Sequence, residues 1–310
     1  MAKQTEIKKQ HYNKSTMSPQ SLLDKLKQRG LVIPDENAAL NALKFIGYFR
    51  LRGYCYPFYQ MTQERKPLPV LPKTFIEGTT FDDIVSLYEF DRRVRLLIIE
   101  EIQKVEVGLR TCISEHMANS HGPHWFMNLA VLSPTFEYDG FHARIKDAKE
   151  LFISHYYDNY QSPSLPPSWM ITEVLTFGTW SRLYADLFLS DQKAIAKQFD
   201  VKSGEVMGSW FHCLSHLRNL CAHHNRVWNR SFQVFMPRDT KELKEHMTRK
   251  NTLYSRLCVI KHLSDQVSVS NGLTERLLSL LESAPKVVTL EQMGFLEGWQ
   301  EHTLWAPKES

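Results

Sequence analysis

Arg218-Asn219-Leu220-Cys221-Ala222-His223, continued by His224-Asn225-Arg226-Val227-Trp228-Asn229-Arg230, brings three guanidiniums, three carboxamides and two imidazoles into thirteen residues. Read as one helix, positions 219, 223 and 226 share a face, so Asn219 reaches the His223 ring and Arg226 stands one turn on. Arg218 lies about 140° from His223 around the wheel, at ~100° per residue, and its long side chain can curl over the same edge. Guanidiniums that grip an anion, beside an imidazole that carries a proton near neutral pH, suit chemistry at a phosphate. The plainer reading is a solvated polar helix end. An Arg-to-His spacing of this kind arises about once or twice by composition alone.

Three other groups of residues invite chemistry. Arg110-Thr-Cys-Ile-Ser-Glu-His116 is a second Arg-to-His spacing, one residue wider. Glu106 and Arg110 are an i, i+4 pair, so the exposed face of a core helix is the favoured reading there. His212 and His216 have a helical zinc-ligand spacing, but no carboxylate follows Glu205 in that helix and no paired cysteines occur, which disfavours a metal. Phe45, Tyr48, Phe49, Tyr54, Tyr56, Phe58 and Tyr59 interleave with Arg50 and Arg52. They could stack on bases, but core packing is favoured.

Composition sets wide bounds. The 310 residues carry a net charge of +4, with 43% hydrophobic and 23% charged residues, ordinary for a globular protein. The mild positive charge permits a nucleic-acid partner without demanding one. Five cysteines without a CxxC indicate a reducing compartment. The polar, basic start MAKQTEIKKQHYNKS has no apolar run, so it does not read as a secretory signal. No stretch of about 18 apolar residues occurs, so no membrane span is expected.

The elements that must position these residues are helical throughout. Ser18-Pro19 opens a first helix and Gly30 stops it. A second is expected from Asp35 to near Gly53. Thr80-Phe-Asp-Asp83 reads as a capping box for a spine over about 81–119, whose apolar stripe includes Val94, Ile98, Ile102, Val105, Leu109, Ile113 and Met117. Single helices are expected over about 141–157 and over the apolar run from Trp169 to Phe188. Ser203 opens the helix carrying the central motif, and the tail beyond 240 reads as helical. No segment alternates at period two, and there is no repeat or phosphate-binding glycine loop. The expected fold is all-α, a multi-helix bundle. The expected organisation is a polar tail over 1–17, a helical domain over 18–235 with a candidate division into lobes at 161–168, and a helical extension over 236–310.

FRLRGYCYPF (49–58), RRVRLLIIEEIQKVEVGLRTCISEHMA (92–118), PSWMITEVLTFGTWSRLY (167–184) and LRNLCAHHNRVWNR (217–230) resemble the Abi-like abortive-infection family of the AbiD/AbiF type. The last two are the most specific. That family is placed in the HEPN superfamily of helical nucleases, whose signature is an Arg, often followed by a polar residue, then a His four to six residues on. The resemblance implies a metal-independent endoribonuclease toxin of phage defence that needs no cofactor and cleaves single-stranded RNA. His223 would be general acid or base, Arg218 would stabilise the phosphorane, and Asn219 would orient His223. Arg226, Arg230, His224, Asn225, Arg50 and Arg52 would hold RNA phosphates. HEPN sites usually join two Arg–His sets, so a homodimer is one completion and Arg110 with His116 is an internal one. A small structured RNA is a further implied partner. A non-catalytic RNA-binding module is the alternative.

Overall fold

The computed structural model describes residues 11–13, 15–268 and 272–306, and among them the regular structure is helical. Extended chain pairs only in isolated bridges such as Tyr59 with Phe75. The fold is all-α, as expected. Most of the polar tail expected over 1–17 lies outside the described residues. The chain divides into two compact units, up to Glu89 and from Phe90 onward.

In the first unit, α1 (Pro19–Gln28) starts at Ser18, whose hydroxyl accepts from the Ser21 N–H at 3.1 Å. Gly30 stops it at φ +84°, a conformation that costs glycine nothing. The second expected helix is broken into α2 (Glu36–Ala42), a π-helical turn (Leu43–Gly47) and α3 (Tyr48–Leu51). Gly47 takes φ +88°, which reverses the local handedness and ends the continuous helix. The aromatic cluster is consequently split. Tyr54 and Tyr59 are buried, whereas Phe45 is 73% and Phe49 84% exposed. Lys44 lies 5.0 Å from the Phe45 ring and Arg52 5.4 Å from the Phe49 ring. Core packing thus accounts for only part of that cluster.

Helix α4 (Phe81–His121) begins in the first unit and continues in the second. The predicted capping box is present: Asp83 N–H donates to Thr80 Oγ1 at 3.1 Å, and Thr80 N–H to Asp83 Oδ2 at 2.8 Å. The apolar stripe from Phe90 to Met117 is buried along its length.

The helix expected over 141–157 is two, α5 (Tyr138–Lys146) and α6 (Leu151–Asn159). Lys146 to Phe152 contains no buried residue, so nothing drives the helix through that polar stretch. The apolar run after Ser168 also breaks, into α7 (Ser168–Ile171) and α8 (Phe177–Ala185). Thr176 caps α8 through its hydroxyl, accepting from Thr179 N–H at 3.2 Å, an alternative to continuing the helix. Then follow α9 (Leu189–Lys197), α10 (Gly204–Ala222), α11 (Leu253–Val267), α12 (Leu273–Glu282) and α13 (Leu290–Met293). The stretch 241–252, expected to be helical, is a series of turns.

Helix α10 carries the central motif and packs on α8, α9 and α11. Its first residue is fixed from two sides. The Tyr184 hydroxyl donates to the carbonyls of Gln192 (2.8 Å) and Gly204 (3.2 Å). A Cβ on Gly204 would lie 2.6 Å from Gln192 Cβ and 3.1 Å from its carbonyl carbon. Gly204→Ala is therefore expected to cost about 1–3 kcal/mol by overpacking, read as a lowered urea midpoint at unchanged m-value.

Candidate active site

Helix α10 ends at Ala222, and His223 is its C-cap at φ −87°, ψ 13°. His224 follows at φ +58°. Its N–H donates to the Cys221 carbonyl at 3.0 Å, and the Asn225 N–H reaches back to the Leu220 carbonyl at 2.8 Å. This pair of bonds is a Schellman motif, here with a histidine in the left-handed position usually taken by glycine. A helix running through 230 is thus corrected. Arg226 lies beyond the helix end and does not continue the face of Asn219 and His223. No Pro or Gly announced the stop; the chain reverses because its next residues are anchored elsewhere.

That anchor is Asp91 on α4. Its Oδ1 accepts from the N–H groups of Val227 (3.1 Å) and Trp228 (2.6 Å). Its Oδ2 is paired with Arg95. Asp91 is fully buried and Arg95 is 3% exposed. One carboxylate therefore satisfies two backbone donors and one guanidinium in a dry interior, a high-stakes arrangement. Beneath it, burial pushes the Cys221 thiol up to about 12, with the Asp91 charge adding to the effect, so this cysteine stays protonated. Farther on, fully buried Arg256 of α11 donates to the carbonyls of Lys250, Thr252, Val234 and Phe235 and lies 4.0 Å from the Phe232 ring. The chain after the motif is thus held at both ends.

Ahead of these anchors His223, Asn219, His224 and Asn225 are exposed, and Arg218 is half-exposed. The Asn219 carboxamide accepts from Arg218 Nη1 at 3.5 Å, so the amide faces the guanidinium and not the His223 ring. Arg230 donates to the Arg226 carbonyl at 3.3 Å and lies 6.0 Å from the Phe232 ring. Arg50 and Arg52 belong to the first unit, on and just after α3.

The second Arg-to-His segment meets the first. Glu106 of α4, almost fully buried, is paired with Arg110 through one oxygen, and its other oxygen lies 3.8 Å from Arg218 Nε. Arg110 also donates to the Thr172 carbonyl at 3.2 Å. Its burial lowers its own pKa, with Glu173 opposing and Arg218 adding to that shift. Arg110 is therefore not on an exposed face. His116 takes a different partner: its Nε2 is 2.9 Å from Asp191 Oδ1, and His121 Nε2 is 3.3 Å from Asp191 Oδ2. Glu106, Asp91 and Asp191 are the acids that organise the region. Asp91 had a readable signal, a carboxylate in register with the apolar stripe of Leu87, Val94 and Ile98. Asp191 had none, lying 75 residues from His116.

Among the described residues no group of three or more His, Cys, Asp or Glu is arranged to hold a metal ion. His212 Nδ1 is 2.7 Å from the Ser181 hydroxyl, and both His212 and His216 face the Phe235 ring. No helix among these residues is long and apolar enough to cross a membrane.

Burial lowers the pKa of His124, His142, His212, His216 and His246 below the ordinary 6.5. Below pH 6.5 the unfolded chain then binds more protons than the folded one, so stability is lost as the pH is lowered. The urea midpoint is expected to decline as the pH is taken from about 7 to below 6.5.

The family model described as Abi-like protein matches residues 41–229, more than half of the chain. The chain belongs to the Abi-like family. The matched segment contains both Arg-to-His spacings and closes at Asn229, just past the two Abi-like residues that Asp91 anchors. Membership associates this Abi-like chain with abortive infection, the defence of bacteria against phage. No curated protein and no solved structure matches it.

Proposed function

We propose that this Abi-like protein is a metal-independent endoribonuclease of the HEPN type, a toxin of phage defence acting on single-stranded RNA. The observation that supports it is the meeting of Arg110 and Arg218 at Glu106. The arginines of both Arg-to-His segments lie side by side in one chain, as a phosphodiester flanked by two guanidiniums requires. This favours the internal completion of the site over one that borrows its second half from another copy.

In the reaction His223 takes the proton from a ribose 2′-OH, and that oxygen attacks the adjacent phosphorus. Arg218 and Arg110 stabilise the charge on the phosphorane. The 5′-oxygen leaves with a proton, giving a 2′,3′-cyclic phosphate and a 5′-hydroxyl. His116, oriented by Asp191, is the candidate proton donor. Asn219 aligns the Arg218 guanidinium. The 2′-OH requirement makes DNA inert. The test is incubation of labelled single-stranded RNA with the protein in EDTA, beside His223→Ala, with the 3′ ends typed. Unchanged cleavage in the variant refutes the assignment. Full activity of an Arg110→Ala, His116→Ala double variant refutes the internal second half and returns the weight to a homodimer.

Glu106 holds both guanidiniums in the absence of RNA, so a phosphate must displace it. Glu106→Gln is expected to tighten binding of 2′-O-methyl RNA about fivefold or more, since one unit charge at ~4 Å exerts ~1 kcal/mol through water and more where it is buried. Weaker binding would make Glu106 a positioning residue instead.

A second reading, an RNA-binding module without catalysis, draws on the first unit. Exposed Phe45 and Phe49 beside Lys44 and Arg52 offer stacking faces with adjoining cations, suited to single-stranded RNA, including a small regulatory one. It predicts salt-sensitive binding without cleavage.

A further inference from the structure

A cleft of about 260 Å³ opens between α5, α8 and the residues just before α5. Buried Phe141 and Leu183 line its apolar part. Phe136 leans on Phe141 with ring centroids 5.3 Å apart and presents an aromatic wall. Two guanidiniums line the same cleft, Arg144 three residues along α5 from Phe141, and Arg182 beside Leu183 on α8. Both are exposed.

Arg95, Arg110, Arg238 and Arg276 each sit on a carboxylate. Neither Arg144 nor Arg182 has an ion pair among the described residues, although Glu137 and Asp186 line the same cleft. Asp186 is occupied otherwise, accepting from the Thr135 hydroxyl at 3.2 Å, and burial raises its pKa. Its carboxylate oxygens have further acceptor capacity for a hydroxyl or amino group.

The volume exceeds that of the simplest occupant. A single inorganic anion would leave most of the space to water, each molecule of which takes about 30 Å³. The cleft instead fits a ligand with one flat apolar part, one hydroxylated part and one anionic end. It shares His212 with a larger neighbouring cleft of about 560 Å³.

We infer that the cleft between α5 and α8 binds a nucleoside monophosphate unit, its base against Phe136 and Phe141, its phosphate between Arg144 and Arg182, and its sugar hydroxyls toward Asp186. The unit is a free mononucleotide or one nucleotide of an RNA strand. The site does not depend on the cleavage reaction proposed above, because none of its residues belongs to the Arg218–His223 or Arg110–His116 sets.

Isothermal titration calorimetry on the full chain tests it, with AMP, UMP, adenosine, inorganic phosphate and a 5′-phosphorylated, 2′-O-methylated trinucleotide as probes. A mononucleotide is expected to bind with a sub-millimolar Kd. Arg144→Ala and Arg182→Ala should each weaken it tenfold or more, while His223→Ala leaves it unchanged. Both arginines are exposed, so these variants should fold, which the Tm would check. Tighter binding of the trinucleotide, with the same sensitivity to both arginines, identifies an RNA strand as the source; tighter binding of the mononucleotide identifies the free ligand. Three results would overturn the inference: no binding of AMP or UMP at millimolar concentration, binding indifferent to both arginine variants, or inorganic phosphate binding as tightly as the nucleotide.

Discussion

His223→Ala is expected to slow cleavage of single-stranded RNA by about 10²–10⁴-fold, the usual contribution of one positioned acid–base group. The same substitution should leave the urea midpoint almost unchanged. The His223 ring is exposed, and its backbone role as the α10 C-cap requires only an N–H and a permissive φ, which alanine supplies. That separation of activity from stability is what identifies a chemical role. Arg218→Lys should be nearly as damaging to the rate. Arg218 approaches Glu106 through Nε and Asn219 through Nη1, so two donors of one planar fork are directed at once. An ammonium offers a point charge and cannot reproduce that alignment. Cleavage at the wild-type rate by either variant, measured in single-turnover assays with EDTA present, would contradict the proposed roles.

Asp91→Ala carries the largest expected loss of stability, about 3–5 kcal/mol, the cost of breaking a buried ion pair from one side. The variant removes the carboxylate opposite the buried Arg95 guanidinium and takes Asp91 Oδ1 away from the Val227 and Trp228 N–H groups. Against a typical total of 5–15 kcal/mol this is a large fraction. Asp91→Asn keeps an acceptor for the two amides but removes the charge opposite Arg95, so it should fall between alanine and wild type. Chemical denaturation by urea, followed by tryptophan fluorescence, measures both; Trp228 is itself buried beside the anchor. An alanine variant within 1 kcal/mol of wild type would remove Asp91 from its anchoring role.

The helical class, the caps at Ser18, Thr80 and Ser203, and the stripe of α4 were legible because each depends on local spacing. The breaks were harder to read. Gly47 was visible, but its effect depended on the chain taking a positive φ there. Thr176 broke an apolar run by capping α8, a competition that composition does not resolve. At the site, the Arg218–His223 spacing was plain, while the helix end at Ala222 was not. That end is imposed by a carboxylate more than a hundred positions upstream. The meeting of Arg110 with Arg218 through Glu106 was likewise a tertiary fact, because i, i+4 pairing alone places Arg110 on a surface. The cation-bearing faces of Phe45 and Phe49 were read toward the core because aromatic residues usually go there; both stand exposed, Phe45 in the π-helical turn and Phe49 on α3.

The Asp91 anchor also has a temporal meaning. It joins residues 136 and 137 positions apart, and such distant contacts close late because the intervening chain must be ordered first. During synthesis the Arg218–His223 segment cannot be fixed until Trp228 has left the ribosome and found α4. A nascent or prematurely terminated chain would carry both Arg-to-His spacings in its sequence and yet lack the geometry between them. For the nuclease proposed here, this would couple cleavage to completion of the fold, and unfinished copies would be inert in the cell that makes them.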